Sequence, residues 1–338
     1  MSEQTLQAIV KAMVADGKGL LAADESNGNI KKKFDKLGIE DSAENHRRYR
    51  EMLFTTPGME KYISGVILFD ETIHQSTSDG VSFAQYLDSK GVVPGIKVDI
   101  GLMDFEGHPG EQVTKWDETL NDRLKKYYEL GARFAKWRAV INIGAGIPSD
   151  ECIAANCKNL VKYAQLCQAN GIVPIVEPEV LSDGDHTIER CYEVTKKTLI
   201  ELFAQLKKAN VDLSGLILKP NMVIYSLEGE KVSAQEVAEK TLQCFSEVVP
   251  TEVGGIVFLS GGQSEPESCV TLNAISKLVK EQKTPWKLTF SYGRALQNSA
   301  LKNWIGKDEN KFSSQEIFLH RAKLASAASF GEYTPEME

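Results

Sequence analysis

Read for short apolar runs bounded by Gly, Pro or Asp, the chain yields eight strand-like segments separated by helical stretches. They are 19–24 (GLLAAD), 64–70 (SGVILFD), 93–99 (VPGIKVD), 133–141 (RFAKWRAVI), 171–177 (GIVPIVE), 214–219 (SGLILK), 254–260 (GGIVFLS) and 286–291 (WKLTFS). Between them apolar residues recur three and four apart, as in Leu199, Leu202, Phe203 and Leu206, or Ile153, Leu160, Val161 and Ala164, which predicts helices with one buried face. Strands apolar along most of their length belong in a parallel sheet covered by helices. Eight such units predict an α/β fold of the (β/α)8 barrel type, spanning 1–338 as a single domain, with 331–338 a short, polar, mobile tail.

Most of these runs end in a polar or ionisable residue: Asp24, Asp99, Glu177, Lys219, Ser260 and Ser291. Polar residues can simply mark where a strand leaves the core. Six of complementary chemistry on one rim instead predict a site, because the C-terminal rim of such a barrel is where active sites sit.

Lys219 is the pivotal candidate, an amine closing the apolar run Gly215-Leu216-Ile217-Leu218 and followed by Pro220. An ordinary lysine, with a pKa of about 10.4, is almost wholly protonated at neutral pH and is a poor nucleophile toward a carbonyl. A nucleophilic lysine therefore needs desolvation or a second cation nearby, and Lys136, within the strand-like Phe134-Ala135-Lys136-Trp137-Arg138, is the candidate cation. Either lysine could equally pair with a core carboxylate. Asp24, Glu177 and Glu179 offer the acid and base that imine formation and carbon-carbon cleavage require, although Glu179 could serve only as an ion-pair partner of Arg138. Glycine-rich or basic segments flank this set. Ser260-Gly261-Gly262 and Ser291-Tyr292-Gly293-Arg294 follow the last two strands, where barrels often bind phosphate. Lys31-Lys32-Lys33 and Lys97 are expected across the mouth.

Composition narrows the partners. A hydrophobic fraction of 42%, a charged fraction of 25% and a net charge of −8 describe a globular chain without a dominant nucleic-acid footprint, so anionic ligands must meet a local basic pocket. The six cysteines form no CxxC pair, which predicts reduced, mostly buried thiols. No secretory signal and no apolar run near the ~20 residues of a membrane span is present, so the expected location is cytoplasmic. The histidines are scattered. Only His186, in Asp183-Gly184-Asp185-His186, has a metal-like setting, and it is expected to be a structural turn with ion pairs.

Several segments carry a resemblance: Gly19-Leu20-Leu21-Ala22-Ala23-Asp24-Glu25-Ser26, Gly95-Ile96-Lys97-Val98-Asp99, Phe134 to Arg138, Val173 to Glu179, Leu218-Lys219-Pro220-Asn221-Met222, Leu259 to Gln263 and Phe290 to Leu296. In this order, and over nearly the whole length, the chain resembles class I fructose-1,6-bisphosphate aldolase. The resemblance implies a lyase that cleaves fructose 1,6-bisphosphate to dihydroxyacetone phosphate and glyceraldehyde 3-phosphate through a lysine Schiff base, with no metal or organic cofactor, assembled as a homotetramer. It implies that Lys219 is the Schiff-base lysine, Glu177 the acid/base of dehydration, Asp24 the carboxylate at the C4 hydroxyl, Lys136 a tuning lysine and Glu179 a supporting carboxylate. Ser260, Gly261, Ser291, Gly293 and Arg294 match the C1-phosphate side, and Lys33, Lys97 and Arg138 the opposite basic side.

The resemblance has departures. Many members end in a tyrosine that helps proton exchange at the enamine, whereas Tyr333 matches an earlier Tyr-Thr-Pro segment and the sequence stops at Glu338, which leaves the route of enamine protonation open. Ile100 stands where a basic residue is common, and Asn29 replaces a frequent serine, so affinity at the far phosphate end is expected to differ. Competing readings are a transaldolase-like transferase, which would not need two phosphate clusters, a zinc-dependent aldolase, and a catalytically silent barrel used as a binding scaffold.

Overall fold

The computed structural model describes residues 5–338. In chain order its strands are β1 (Gly19–Ala22), β2 (Ile63–Leu68), β3 (Val93–Lys97), β4 (Leu102–Asp104), β5 (Gln112–Thr114), β6 (Phe134–Ile141), β7 (Val173–Val180), β8 (Ile217–Leu218), β9 (Gly255–Phe258) and β10 (Leu288–Tyr292). Eight of them close a parallel barrel in the order β1-β10-β9-β8-β7-β6-β3-β2, and each coincides with one of the eight expected runs.

Strand alternation divides these residues between two cores. Leu21, Val66, Ile96, Ala135, Trp137, Val176, Leu218, Ile256 and Phe258 point outward into the larger core under the helices. Leu20, Ala22, Ile67, Phe134, Val173, Ile175, Ile217 and Val257 point inward and fill the barrel. Helix Leu6–Met13, capped by the Thr5 hydroxyl accepting from the Ala8 N–H, closes the bottom with Ile9, Val10 and Met13, which lie on one helical face. Phe134 fits only because Gly95 lacks a side chain, since a Cβ there would come within 2.2 Å of the ring.

The expected helices are present. Ile188–Lys208 buries Leu199, Leu202, Phe203 and Leu206, and Asp150–Ala169 buries Ile153, Leu160, Val161 and Ala164. Three details differ from the sequence reading. β7 does not stop at Glu177 but runs on to Val180, so Glu177 and Glu179 are successive inward residues of one strand. β4 and β5 form an antiparallel hairpin that was not expected, because two three-residue strands leave no periodic signal. The segment 331–338, expected to be a mobile tail, is exposed for most of its length but attached at two residues: Tyr333 is buried, its hydroxyl donates to Glu338 Oε1 at 2.9 Å, and Glu338 pairs with the buried Arg321. A buried guanidinium needs a carboxylate partner, which accounts for the attachment.

Candidate active site

A cavity of about 940 Å³ opens at the C-terminal rim of the barrel. All thirteen residues singled out from sequence line it: Asp24, Lys33, Lys97, Lys136, Arg138, Glu177, Glu179, Lys219, Ser260, Gly261, Ser291, Gly293 and Arg294.

The centre is built by register. Lys136 lies beside Lys97 across the β3–β6 pair, and Arg138 lies beside Glu177 across β6–β7. The Lys219 N–H donates to Val176 O at 2.8 Å, which carries the register one strand further. Pro220 follows and has no N–H to continue the ladder, so the paired strand is short. As a result two lysine side chains and two carboxylates meet, with Lys136, Glu177 and Lys219 buried and Asp24 partly so. Lys219 Nζ is 2.9 Å from Glu177 Oε1, Lys136 Nζ is 3.4 Å from Glu177 Oε2, and Lys136 Nζ is 2.7 Å from Asp24 Oδ2. Glu177 bridges the two lysines.

Electrostatics reinforce this arrangement. Burial alone would raise the carboxyl of Asp24, but the charges of Lys136 and Lys219 outweigh it and hold the group well below the usual carboxylate range. Glu177 is likewise lowered, burial being opposed by Lys219, Lys136 and Arg138. For Lys136 burial pushes the amine down, while Asp24, Glu177 and Asp99 prevail and raise it above the ordinary lysine value. The second cation anticipated from sequence is therefore at hand, but with its charge answered by two carboxylates. Glu179 pairs with Arg138, the structural alternative the sequence reading had left open.

On one flank, Gly261 and Gly262 adopt positive φ of 55° and 85°, which turns the loop after β9 back over the cavity, and Ser182 Oγ donates to Gly261 O at 2.6 Å to hold it there. Helix Arg294–Trp304 points its first turn toward the same flank with no side-chain cap at Gly293. A Cβ at Gly293 would sit 3.2 Å from Ala22 O, so the close approach of this helix to β1 favours glycine. Ser291 Oγ is buried here without a partner. On the opposite flank are Lys97, 3.4 Å from Asp99, and Lys33, paired with Glu25. Of the triple lysine only Lys33 lines the cavity, and Lys31 pairs with Asp35 outside it.

Sequence reasoning missed Glu25 and Arg123 and gave Asp99 no role beyond a strand end, although all three line the cavity. Glu25 stands beside Asp24 and Asp99 two residues after Lys97, signals that could have been followed. Arg123 had none: it lies in helix Leu120–Glu129 and reaches the rim by donating to Val98 O at 3.0 Å and Asp117 Oδ2 at 2.6 Å. His186 lies in an irregular segment just after a bend at Gly184 and Asp185, with a buried ring and no ion pair, and no three His, Cys, Asp or Glu among the described residues form a group that could bind a metal. All six cysteines are buried and free.

The sequence model of the family described as "Fructose-bisphosphate aldolase class-I" matches residues 5–338. The chain belongs to this family. It is 53% identical over 337 residues to a probable fructose-bisphosphate aldolase class 1 of Xanthomonas campestris, covering 98% of this chain and 99% of that one. It is also 51% identical over 318 residues to the cytosolic fructose-bisphosphate aldolase 4 of Arabidopsis thaliana, covering 94% of this chain and 80% of the relative. In three dimensions it matches the fructose-bisphosphate aldolase of Plasmodium falciparum, co-crystallised with TRAP and a small-molecule inhibitor, with a TM-score of 0.95 at 46% identity over 97% of this chain and 95% of that one. The fold is thus that of a class I aldolase. The function is the family's lyase reaction, reversible cleavage of fructose 1,6-bisphosphate to dihydroxyacetone phosphate and glyceraldehyde 3-phosphate. No described helix is long and apolar enough to cross a membrane.

Proposed function

We propose that Lys219 is the Schiff-base nucleophile of this aldolase, that Glu177 and Asp24 handle the protons of the reaction, and that Lys136 tunes the group. The observation that carries the reading is the bridging position of Glu177, 2.9 Å from the Lys219 amine and 3.4 Å from that of Lys136. Attack on C2 of the open-chain sugar needs a free amine, and Glu177 is within hydrogen-bond reach to take its proton. Returned to the carbinolamine hydroxyl, that proton lets water depart and leaves the imine. Glu177 lies against both amines, so the group that takes the proton is also placed to return it. Asp24, kept ionised, then accepts the C4 hydroxyl proton. The C3–C4 electron pair moves into the imine, glyceraldehyde 3-phosphate leaves, and an enamine remains on Lys219. Protonation of the enamine and hydrolysis release dihydroxyacetone phosphate and restore the amine.

Lys136 keeps both carboxylates ionised and spaced through its contacts with Asp24 and Glu177, and Glu179 orients Arg138. The C1 phosphate binds Ser260, Gly261, Ser291, Gly293 and Arg294, where a helix N-terminus and an unpartnered hydroxyl await an anion. The distal phosphate and nearby hydroxyls bind Lys33, Lys97 and Arg138.

Borohydride reduction with dihydroxyacetone phosphate, followed by peptide mass mapping, tests the assignment. The expected adduct is on Lys219, and an adduct elsewhere, or none, would overturn it. We further propose a cytoplasmic location, in keeping with the cytosolic plant relative, and a single-domain chain assembled as a homotetramer, which light scattering on the purified protein would check.

A further inference from the structure

At the distal flank Lys33 belongs to an ion-pair group whose other members, Glu25 and Arg50, the mechanism does not use. Glu25 Oε1 is 2.5 Å from Lys33 Nζ, and its other oxygen is 2.9 Å from Arg50 Nη2. Arg50 is almost wholly buried, on helix Ala43–Phe54, stacked with its guanidinium carbon 5.5 Å from the Tyr49 ring centroid. Its Nε and Nη1 have no hydrogen-bond partner, and Glu25 Oε2 is not aligned in one either. Buried, unpaired guanidinium N–H groups are costly, and a planar fork satisfied at one corner only is an arrangement short of its best geometry. Glu25 is the carboxylate that could complete it, but it is shared with Lys33.

We propose that Glu25 is a specificity-determining residue that occupies Lys33 in the empty site as an internal stand-in for the distal phosphate, and that Arg50 receives it when the phosphate arrives. The exchange conserves ion pairs. Lys33 trades a carboxylate for a phosphate, while Glu25 turns from one cation to the free nitrogens of another. A phosphate entering this end meets the Lys33 cation only by displacing Glu25, so the ion pair weakens binding of the bisphosphate and leaves a substrate with a free hydroxyl at carbon 6 unaffected. The inference rests on the reading above that this flank takes the distal phosphate.

The test compares kcat/KM for fructose 1,6-bisphosphate with that for fructose 1-phosphate, which lacks the distal phosphate. Removing the competing charge in Glu25→Gln raises the preference for the bisphosphate about fivefold through a lower KM, the scale of a partly exposed ion pair. The double variant Glu25→Gln/Arg50→Gln removes both buried charges, keeps the fold where the single variant leaves Arg50 unpaired, and raises the same preference. A preference within about twofold of wild type, or a lowered one, in the folded variant overturns the proposal, since general damage lowers both rates together. Lys33→Met separates the two readings by lowering the preference about tenfold. If it does not, this flank does not hold the phosphate; if it does while the Glu25 variants leave the preference unmoved, only the stand-in role fails.

Discussion

The two ends of the barrel are made from the same strands and the same inward files, yet they are chemically opposite. On β6 the inward residues run from Phe134 at the bottom to Lys136 and Arg138 at the top, and on β7 from Val173 and Ile175 to Glu177 and Glu179. On β8 Ile217 is followed two residues later by Lys219, and from β1 Leu20 and Ala22 lead to Asp24. The lower end is filled by apolar side chains and closed by helix Leu6–Met13. Its stability comes from burial and close packing. The upper end buries charges, whose net worth depends on every one keeping its partner. One end holds the fold together, and the other holds reactive groups in place.

The largest effect expected from this division is at the top. Lys219→Ala should lower cleavage by a factor on the order of 10⁴ or more while the far-UV circular dichroism stays native. Near-normal turnover would make Lys219 a structural ion-pair partner. Next comes Asp24→Asn, expected to slow cleavage by about 10² to 10⁴ with substrate binding little changed, as read from single-turnover kinetics. A comparable loss in binding alone would remove Asp24 from the proton transfers.

The lower end should respond in the other currency. Phe134→Ala opens a void at the barrel floor and is expected to cost about 3–5 kcal/mol in denaturant unfolding, with kcat per folded molecule within about twofold of wild type. A large fall in kcat would show that the two ends are mechanically joined.

A smaller effect is expected with pH. Asp24 and Glu177 are depressed in the folded state, so the unfolded chain binds more protons through the acid range. Their stabilisation is complete above the ordinary carboxylate values and is lost as pH falls toward the depressed ones. Lys136, raised in the folded state, contributes below the ordinary lysine value and loses its share as pH rises through the raised one. Thermal melting of Asp24→Asn against wild type should therefore show a shallower acid decline in the variant, and parallel curves would contradict the assignment. The smallest expected effect is none: as a class I enzyme, the protein should keep its activity after dialysis against EDTA, and abolition would point to a metal.

Much of this was legible before folding was considered. The apolar runs identified all eight barrel strands, because a parallel strand covered on both faces must be continuously apolar until it leaves the sheet. Their polar ends supplied Asp24, Glu177, Lys219, Ser260 and Ser291 of the cavity lining, and the remaining candidates came from neighbouring segments and the family resemblance. The helices were readable from spacing for the same reason. The hairpin of β4 and β5 was not, since three residues carry no period, nor was the attachment of Tyr333 and Glu338, which depends on the chain folding back onto Arg321, buried in the preceding helix Lys311–Ser329.

Partnership was what residue type could not specify. From the residues alone, Lys136 could be a second cation for Lys219 or the partner of a core carboxylate, and only the family resemblance set Lys33 apart from Lys31 and Lys32. Sequence by itself determined the barrel, the family and the list of reactive side chains, because periodicity and residue chemistry are properties of the chain. Only the tertiary structure decided that Lys136 sits between Asp24 and Glu177, that Lys33 alone of the three faces the cavity against Glu25, and that Arg123 and Arg50 stand close behind the rim. Those are distances of a few ångströms between residues far apart in the chain, set by strand register and helix packing, and Coulomb and hydrogen-bond energies depend on them directly.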